Sequence, residues 1–179
     1  MELPGHCRDR FVTLSHPPIL ETRTLNWPDE AACGLFAAQM AQQPALQDAR
    51  IELDGPLGAG KTTFVRHLLR ALGATGRIKS PTYAVVEPYE LSTPAGQPLA
   101  VSHFDFYRFD DPREWADAGL RDLYAEPGLK VAEWAGKAAP HLPPPDLRLT
   151  LTPQPDDSRT VRAEAFSTTG QALLQGAAG

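Results

Sequence analysis

A glycine-rich motif at residues 55–62 constrains the fold of this chain more than any other feature. It reads Gly-Pro-Leu-Gly-Ala-Gly-Lys-Thr and fits the pattern G-x-x-x-x-G-K-[ST]. Residues 50–54 before it alternate as in a strand, and the apolar residues of 64–72 after it recur at helical spacing up to Gly73. A strand, a glycine-rich loop and an amphipathic helix in this order are typical of a phosphate-binding P-loop in an α/β sheet.

The residue types of this motif fit the binding of a nucleotide together with Mg²⁺. Glycines allow successive backbone N–H groups to turn inward around phosphate oxygens, and the N-terminus of the following helix adds partial positive charge. Lys61 is predicted to neutralise the β- and γ-phosphates, and the Thr62 hydroxyl is predicted to bind Mg²⁺. The predicted phosphate-binding residues are Gly58, Ala59, Gly60, Lys61, Thr62 and Thr63.

Two acidic residues further along the chain are candidates to complete this site, because a P-loop needs carboxylates for its metal and its attacking water. Glu133 ends a short apolar strand, at the edge where open α/β sheets bind ligands, and is a candidate metal ligand. Asp105 follows another predicted strand and is, with Lys61, a candidate catalytic residue that could orient water, accept its proton or hold Mg²⁺ through a water molecule. Spacing alone does not assign the roles of the two acids.

Polar residues close to these acids allow two interpretations each. The segment 80–83, Ser-Pro-Thr-Tyr, is either a switch that responds to the γ-phosphate or a proline-containing strand start. His103 either takes part in the site or has its hydrogen bonds satisfied in the core. Arg108 either takes part in the site or pairs with a nearby acid such as Asp110. Trp134 is predicted to pack rather than to stack on adenine.

The remaining patterns predict one α/β domain. A helix is expected between Pro28 and Pro44, and a short one around Trp115. Strands are expected at 82–87 and 99–104 as one hairpin, at 129–132, and at 147–151 and 160–166 as a second hairpin before a C-terminal helix. The predicted fold is a three-layer P-loop NTPase domain with a mixed central β-sheet over residues 25–179, preceded by an irregular N-terminal extension over residues 1–24.

Composition excludes several other classes of protein. The 179 residues suit one domain, and no apolar run approaches the roughly 20 residues of a membrane-spanning helix. A net charge of −5 argues against strong, autonomous nucleic-acid binding, which requires a basic surface. Cys7 and Cys33 form no Cys-x-x-Cys pair, and the first 20 residues lack the apolar core of a signal peptide, so a reduced, cytoplasmic protein is expected.

Four motifs, in this order along the chain, resemble those of the bacterial TsaE family. They are residues 58–63 (Gly-Ala-Gly-Lys-Thr-Thr), 79–83 (Lys-Ser-Pro-Thr-Tyr), 103–108 (His-Phe-Asp-Phe-Tyr-Arg) and 133–134 (Glu-Trp). The resemblance covers about residues 25–172. The chain departs from the family pattern at Pro56, where Asp is usual, and at Ala135, where Pro is common.

The resemblance implies a P-loop ATPase of tRNA threonylcarbamoyladenosine biosynthesis that uses ATP and Mg²⁺. Such a protein supports the TsaD–TsaB complex, which modifies the adenosine next to the anticodon in ANN-decoding tRNAs, and it meets tRNA only through that complex. No membrane and no metal other than Mg²⁺ is implied. By position, Thr62 and Glu133 would hold Mg²⁺ and Asp105 would assist hydrolysis, while Glu30 and Arg159, on weaker matches, would lie near the nucleotide.

Two other functions remain open from the residues alone. A small-molecule kinase would usually need a mobile, arginine-bearing lid over the phosphates, and no such segment is evident. In a non-hydrolysing adaptor, the nucleotide phosphates would only order a switch, and a metal-binding acid would serve that purpose equally well.

Overall fold

Residues 17–111, 113–117 and 119–177 are described by a computed structural model, and in these residues a seven-stranded sheet forms the centre of the molecule. Its strands are β1 (Glu21–Trp27), β2 (Arg50–Asp54), β3 (Val86–Ser92), β4 (Pro98–Asp105), β5 (Leu129–Glu133), β6 (Leu147–Pro153) and β7 (Arg159–Ala165). They lie in the order β1-β7-β6-β2-β5-β4-β3.

The sheet is mixed, as predicted. Strands β6, β2, β5 and β4 run parallel, whereas β1 and β6 lie antiparallel to β7, and β3 lies antiparallel to β4. Both predicted hairpins are therefore present. Because parallel strands end at the same edge, the loop after β2 lies beside the ends of β4 and β5, where Asp105 and Glu133 are paired in register.

Helices lie on both faces of the sheet. They are α1 (Glu30–Ala41), α2 (Lys61–Ala71), α3 (Glu114–Asp117), α4 (Leu120–Ala125) and α5 (Thr168–Ala177). Val131 of β5 belongs to the larger hydrophobic cluster, together with residues of α1, α2 and α5. The next residue, Ala132, faces the other side of the sheet and belongs to a smaller cluster with Trp115 of α3 and Tyr124 of α4. This arrangement confirms the predicted three layers. None of the helices in the described ranges is long and apolar enough to cross a membrane.

The first helix is fixed against α2 by a cap and by aromatic packing. The Asp29 carboxylate accepts a hydrogen bond of 2.9 Å from the Ala32 amide, which satisfies one of the free donors at the start of α1. Phe36 of α1 packs against Trp27 and against Phe64 of α2, with ring centroids 5.4 and 6.2 Å apart, and the Trp27 and Phe64 rings stack on each other at 6.0 Å. The first turn of α1 is thereby held close to the loop that precedes α2.

The prediction of a strand over residues 82–87 is wrong at its start. Residues 82–84 form a turn, and β3 begins at Val86. The Val85 amide donates to the Pro81 carbonyl at 2.6 Å, and Val85 has a φ of 68°, which interrupts the extended chain. The Thr82 hydroxyl also donates to Asp105, so a tertiary contact overrides the strand propensity of this segment.

The predicted irregular extension over residues 1–24 differs from the structure at its C-terminal end. Residues 21–24 belong to β1, which pairs with β7 at the edge of the sheet. The half-buried side chains of this strand include Glu21 and Arg23, which bind each other at 2.7 Å, so the strand lacks the apolar alternation that identifies a strand in a sequence. Residues 1–16, with Cys7, lie outside the described residues.

Candidate active site

The loop between β2 and α2 has a backbone conformation that depends on its glycines. Gly58 and Gly60 have φ angles of 79° and 106°, in the region that residues with a side chain rarely adopt. Gly55 has a φ of 133°, and a Cβ atom on it would lie 2.4 Å from the carbonyl oxygen of Leu151. The glycines of the motif are therefore required by the path of the backbone.

Several backbone amides of this loop donate to no acceptor in the part of the chain that the structure describes. Some belong to the first turn of α2, where helical N–H groups have no partner within the helix. Together with the partial positive charge of the helix terminus, these donors suit the oxygen atoms of a phosphate. The amides are those of Gly58, Gly60, Lys61, Thr62 and Thr63.

The side chain of Lys61 folds back onto the same loop. Its Nζ donates to the carbonyl oxygens of Gly55 and Pro56 at 2.7 and 2.9 Å and lies 4.1 Å from the centre of the Trp134 ring. Burial lowers the pKa of Lys61, and the nearby negative charge of Glu133 opposes this shift. The Lys61 ammonium is thus withdrawn from solvent at the base of the loop.

Thr62 and Glu133 form the closest side-chain contact between the loop and the acidic residues. The Thr62 hydroxyl lies 3.0 and 2.9 Å from the two carboxylate oxygens of Glu133, which is 2% exposed. His103 Nε2 lies 2.9 Å from Oε1 of the same carboxylate. The sequence left the role of His103 open, yet the alternation of β4 gave a signal, because residues two apart on a strand share a face and His103 stands two before Asp105.

Asp105 lies at the end of β4, is 3% exposed, and has both carboxylate oxygens occupied. Its Oδ2 accepts from the hydroxyls of Ser80 at 2.6 Å and Thr82 at 2.8 Å, and its Oδ1 accepts from the Tyr107 amide at 2.9 Å. The segment 80–83 is therefore tied directly to this acid. The sequence placed the segment near the site but gave no indication of this contact.

A cavity of about 300 Å³ brings the predicted residues together. It is lined by loop residues 57–63, by Asp105 and Glu133, and by Ser80 and Thr82. Tyr107 and Trp134 form part of its wall, with ring centroids 5.1 Å apart. Trp134 thus packs beside Lys61 and Tyr107, which agrees with the interpretation of this residue as a packing group.

A smaller cavity of about 150 Å³ adjoins the loop on the side of α1 and β7. It is lined by Glu30 and Arg159, the two residues that weaker motif matches predicted to lie near the nucleotide. Arg159 Nε donates to the Ala59 carbonyl at 3.0 Å, and the exposed Glu30 carboxylate lies 3.0 Å from His67 Nε2. Cys33 also lines this cavity, and burial raises the pKa of its thiol to about 12, so the thiol is an unreactive wall group.

Arg108 does not pair with Asp110 as one interpretation of the sequence expected. Its guanidinium lies over the ring of Tyr83, 4.0 Å from the ring centre. Tyr83 is 84% exposed, and Leu57 at the tip of the loop is 75% exposed. Leu57, which lines the larger cavity, and Tyr83, which follows the lining residue Thr82, therefore present apolar and aromatic surface to solvent.

Comparisons with known proteins agree with the motifs and the fold. The family model described as "Threonylcarbamoyl adenosine biosynthesis protein TsaE" matches residues 27–161. The tRNA threonylcarbamoyladenosine biosynthesis protein TsaE of Haemophilus influenzae is 33% identical over 87% of this chain and 97% of its own length, and that of Bacillus subtilis is 30% identical over 87% and 92%. The crystal structure of Bacillus subtilis YdiB has the same fold, with a TM-score of 0.68 and 23% identity over 88% of this chain and 94% of that one. The chain belongs to the TsaE family of threonylcarbamoyl adenosine biosynthesis proteins.

Proposed function

We propose that this chain is a magnesium-dependent ATPase that supports the threonylcarbamoyl modification of tRNA by acting on the TsaD–TsaB complex. The ATPase part of this proposal is supported above all by the contact of the Thr62 hydroxyl with the Glu133 carboxylate. This contact lies beside Lys61 and the loop amides that have no acceptor in the described residues. Membership of the TsaE family supports the pathway.

The residues at Thr62 and Glu133 fit Mg²⁺ by their chemistry. Mg²⁺ prefers oxygen ligands and is usually bound through one or two carboxylates together with substrate phosphates. No cluster of three or more His, Cys, Asp or Glu side chains that could hold a metal occurs among the described residues. A magnesium ion shared with the nucleotide phosphates suits this donor set, and it would neutralise charge on those phosphates when bound.

The two cavities suit the two ends of a nucleotide. Loop residues Ala59, Gly60 and Thr63 line both, so one molecule can extend from the larger cavity to the smaller. We place the phosphates against the loop amides and the Lys61 ammonium, whose attraction for an anion is strengthened by burial. The nucleoside lies in the smaller cavity, between Trp27 and Arg159.

Asp105 is the residue that we assign to hydrolysis, by orienting water or accepting its proton. Its Oδ2 already accepts from Ser80 and Thr82, and its Oδ1 accepts from the Tyr107 amide, so Oδ2 becomes available to water when the segment 80–83 releases it. This arrangement supports slow hydrolysis by the isolated protein and faster hydrolysis once a partner displaces the segment.

The rim of the larger cavity suits a protein partner rather than RNA. Leu57 exposes apolar surface there and Tyr83 is exposed next to the lining residue Thr82, and exposed apolar patches are typical of interaction sites. The net charge of −5 leaves little counterion-release energy for direct tRNA binding, so the TsaD–TsaB complex would carry the tRNA. The proposal includes a cytoplasmic location, where ATP and tRNA are both present.

The decisive experiment compares Lys61→Ala with Lys79→Ala, an exposed lysine that does not line the cavity. The shift in melting temperature on adding Mg-ATP, and phosphate release with and without TsaD–TsaB, would be measured for each. We expect Lys61→Ala to lose the ATP-induced shift and Lys79→Ala to keep it, with phosphate release by the unchanged protein rising when the complex is added. An undiminished ATP-induced shift in folded Lys61→Ala would remove the nucleotide assignment.

The occupied oxygens of Asp105 also favour a second function, a nucleotide-dependent adaptor that does not hydrolyse ATP. In that case, ATP and a non-hydrolysable analogue would promote binding to TsaD–TsaB equally, and the complex would release no phosphate above background. Phosphate release that Asp105→Asn abolishes would exclude the adaptor.

A further inference from the structure

We propose that His103 is a positioning residue for the magnesium site. Its Nε2–H holds the Glu133 carboxylate in the orientation in which that carboxylate faces the Thr62 hydroxyl and can ligate the metal. This inference rests on the proposed binding of Mg²⁺ and nucleotide, and it adds His103 of β4 to the two proposed metal ligands, Thr62 at the start of α2 and Glu133 of β5.

His103 is completely buried on β4, the strand next to the edge strand β3, and it pairs in register with Val131 of the neighbouring β5. Its side chain reaches across to Glu133, two residues further along β5, and places Nε2 2.9 Å from Oε1. A carboxylate oxygen can only accept a hydrogen bond, so Nε2 is the donor. The contact therefore joins two adjacent strands at the edge where the site lies.

The Glu133 side chain is long, and few other groups donate hydrogen bonds to its carboxylate. The carboxylate therefore needs such a contact to stay in one orientation. In the described residues, its side-chain partners are the Thr62 hydroxyl and His103. Thr62 would itself turn a lone pair to the metal, so it cannot fix the carboxylate alone once the ion binds. Groups that hold metal ligands in this way commonly change metal affinity by roughly 10–100-fold when they are removed.

Of the two ring nitrogens of His103, Nε2 makes a hydrogen bond in the described residues and Nδ1 does not. Nδ1 is buried and has no hydrogen-bond partner in the described residues, so replacing the imidazole by an amide that keeps the Nε2 donor sacrifices no other bond. Glutamine can place an N–H close to the position of Nε2, whereas asparagine is one methylene shorter and cannot reach Glu133. Gln and Asn at position 103 are thus a matched pair with the same amide group and different reach.

The test measures the Mg²⁺ concentration that gives half of the maximal ADP-induced shift in melting temperature, so that no hydrolysis is required. The proteins are the unchanged chain, His103→Gln, His103→Asn and His103→Leu. We expect His103→Asn and His103→Leu to need roughly tenfold more Mg²⁺, and His103→Gln to remain within about twofold of the unchanged chain. ADP affinity without Mg²⁺ should be the same in all four, because it depends on the loop.

Three outcomes would overturn the inference: an unchanged Mg²⁺ requirement in His103→Asn, an equal increase in His103→Gln and His103→Asn, or a loss of metal-free ADP affinity. If His103→Leu does not fold, the Gln and Asn pair still decides. A further check adds His103→Asn to Glu133→Gln, where we expect no additional change in Mg²⁺ requirement because the ligand is already impaired. An unchanged chain that shows no Mg²⁺-dependent shift would contradict the proposed function, which distinguishes that failure from the failure of this inference.

Discussion

Two hydroxyl groups hold the buried Asp105 carboxylate, and removing them tests how firmly the segment 80–83 is fixed. Ser80→Ala and Thr82→Val each remove one donor to Oδ2 and leave the shape of the side chain nearly unchanged. The Ser80 and Thr82 hydroxyls also lie 2.9 Å from each other, so the three groups form one network. Both single variants and the double variant are therefore informative.

The magnitude follows from the geometry. A hydrogen bond to a charged group contributes roughly 1.5–3 kcal/mol to stability, and each single variant leaves the other hydroxyl on Oδ2. We expect each to lower the free energy of unfolding by about 1–2 kcal/mol, which is about 2–8 °C in melting temperature for a chain of this size. The double variant leaves Oδ2 of a 3% exposed carboxylate without a side-chain donor, so its loss should exceed the sum of the single losses.

Urea unfolding of the unchanged chain, the two single variants and the double variant gives these free energies. Ser102→Ala is the control. Ser102 lies on the same strand as Asp105, and its hydroxyl has no hydrogen-bond partner in the described residues, so its loss should change stability by less than about 0.5 kcal/mol. Losses in Ser80→Ala and Thr82→Val no larger than that of the control would refute the reasoning. Basal ATP hydrolysis should rise in Thr82→Val, because Oδ2 is partly released, and an unchanged or lower rate would contradict the holding role.

Further predictions concern the metal, the hydrolysis step, the loop backbone and the partner. Glu133→Gln should weaken the dependence of nucleotide binding on Mg²⁺, read from a Mg²⁺ titration followed by melting temperature. Asp105→Asn should keep ATP-induced stabilisation but slow hydrolysis at least tenfold with TsaD–TsaB present, and a wild-type rate would disprove its assignment. Gly55→Ala should lower the free energy of unfolding by about 3 kcal/mol or more, since its Cβ would lie 2.4 Å from the Leu151 oxygen at a φ of 133°, and calorimetry checks this. A pull-down should recover more TsaD–TsaB with ATP than with ADP, and recovery independent of nucleotide would reject the switch.

Local sequence patterns were sufficient to predict the structure where it depends on residues within one short stretch of the chain. The strand Arg50–Asp54, the loop after it and the amphipathic helix from Lys61 follow from alternation, glycines and helical spacing within one short stretch. Glu133 was also predictable, because an acid after a short apolar run lies at the end of a buried strand. These features depend on neighbours in the sequence.

The features that the sequence did not reveal depend on distant partners. β1 is held by pairing with β7 and carries a polar pattern, so it resembles an irregular segment when its sequence is considered alone. The turn before β3 depends on Asp105, which is 23 residues from Thr82. His103 differs from an ordinary core histidine through its contact with Glu133, 30 residues away. The alternation of β4 places His103 on the same face as Asp105 but does not identify Glu133 as its partner.

The separation of these partners along the chain has a consequence for folding and for protection by ligands. Thr62 and Glu133 are 71 residues apart, and Arg159 and Ala59 are 100 apart, so the site forms only after most of the sheet has closed. A nucleotide bound between the two cavities would therefore act as a non-covalent cross-link across the whole fold. It would slow amide hydrogen exchange in β2, β5 and β7 together, because opening any one of these strands would first require the ligand to leave.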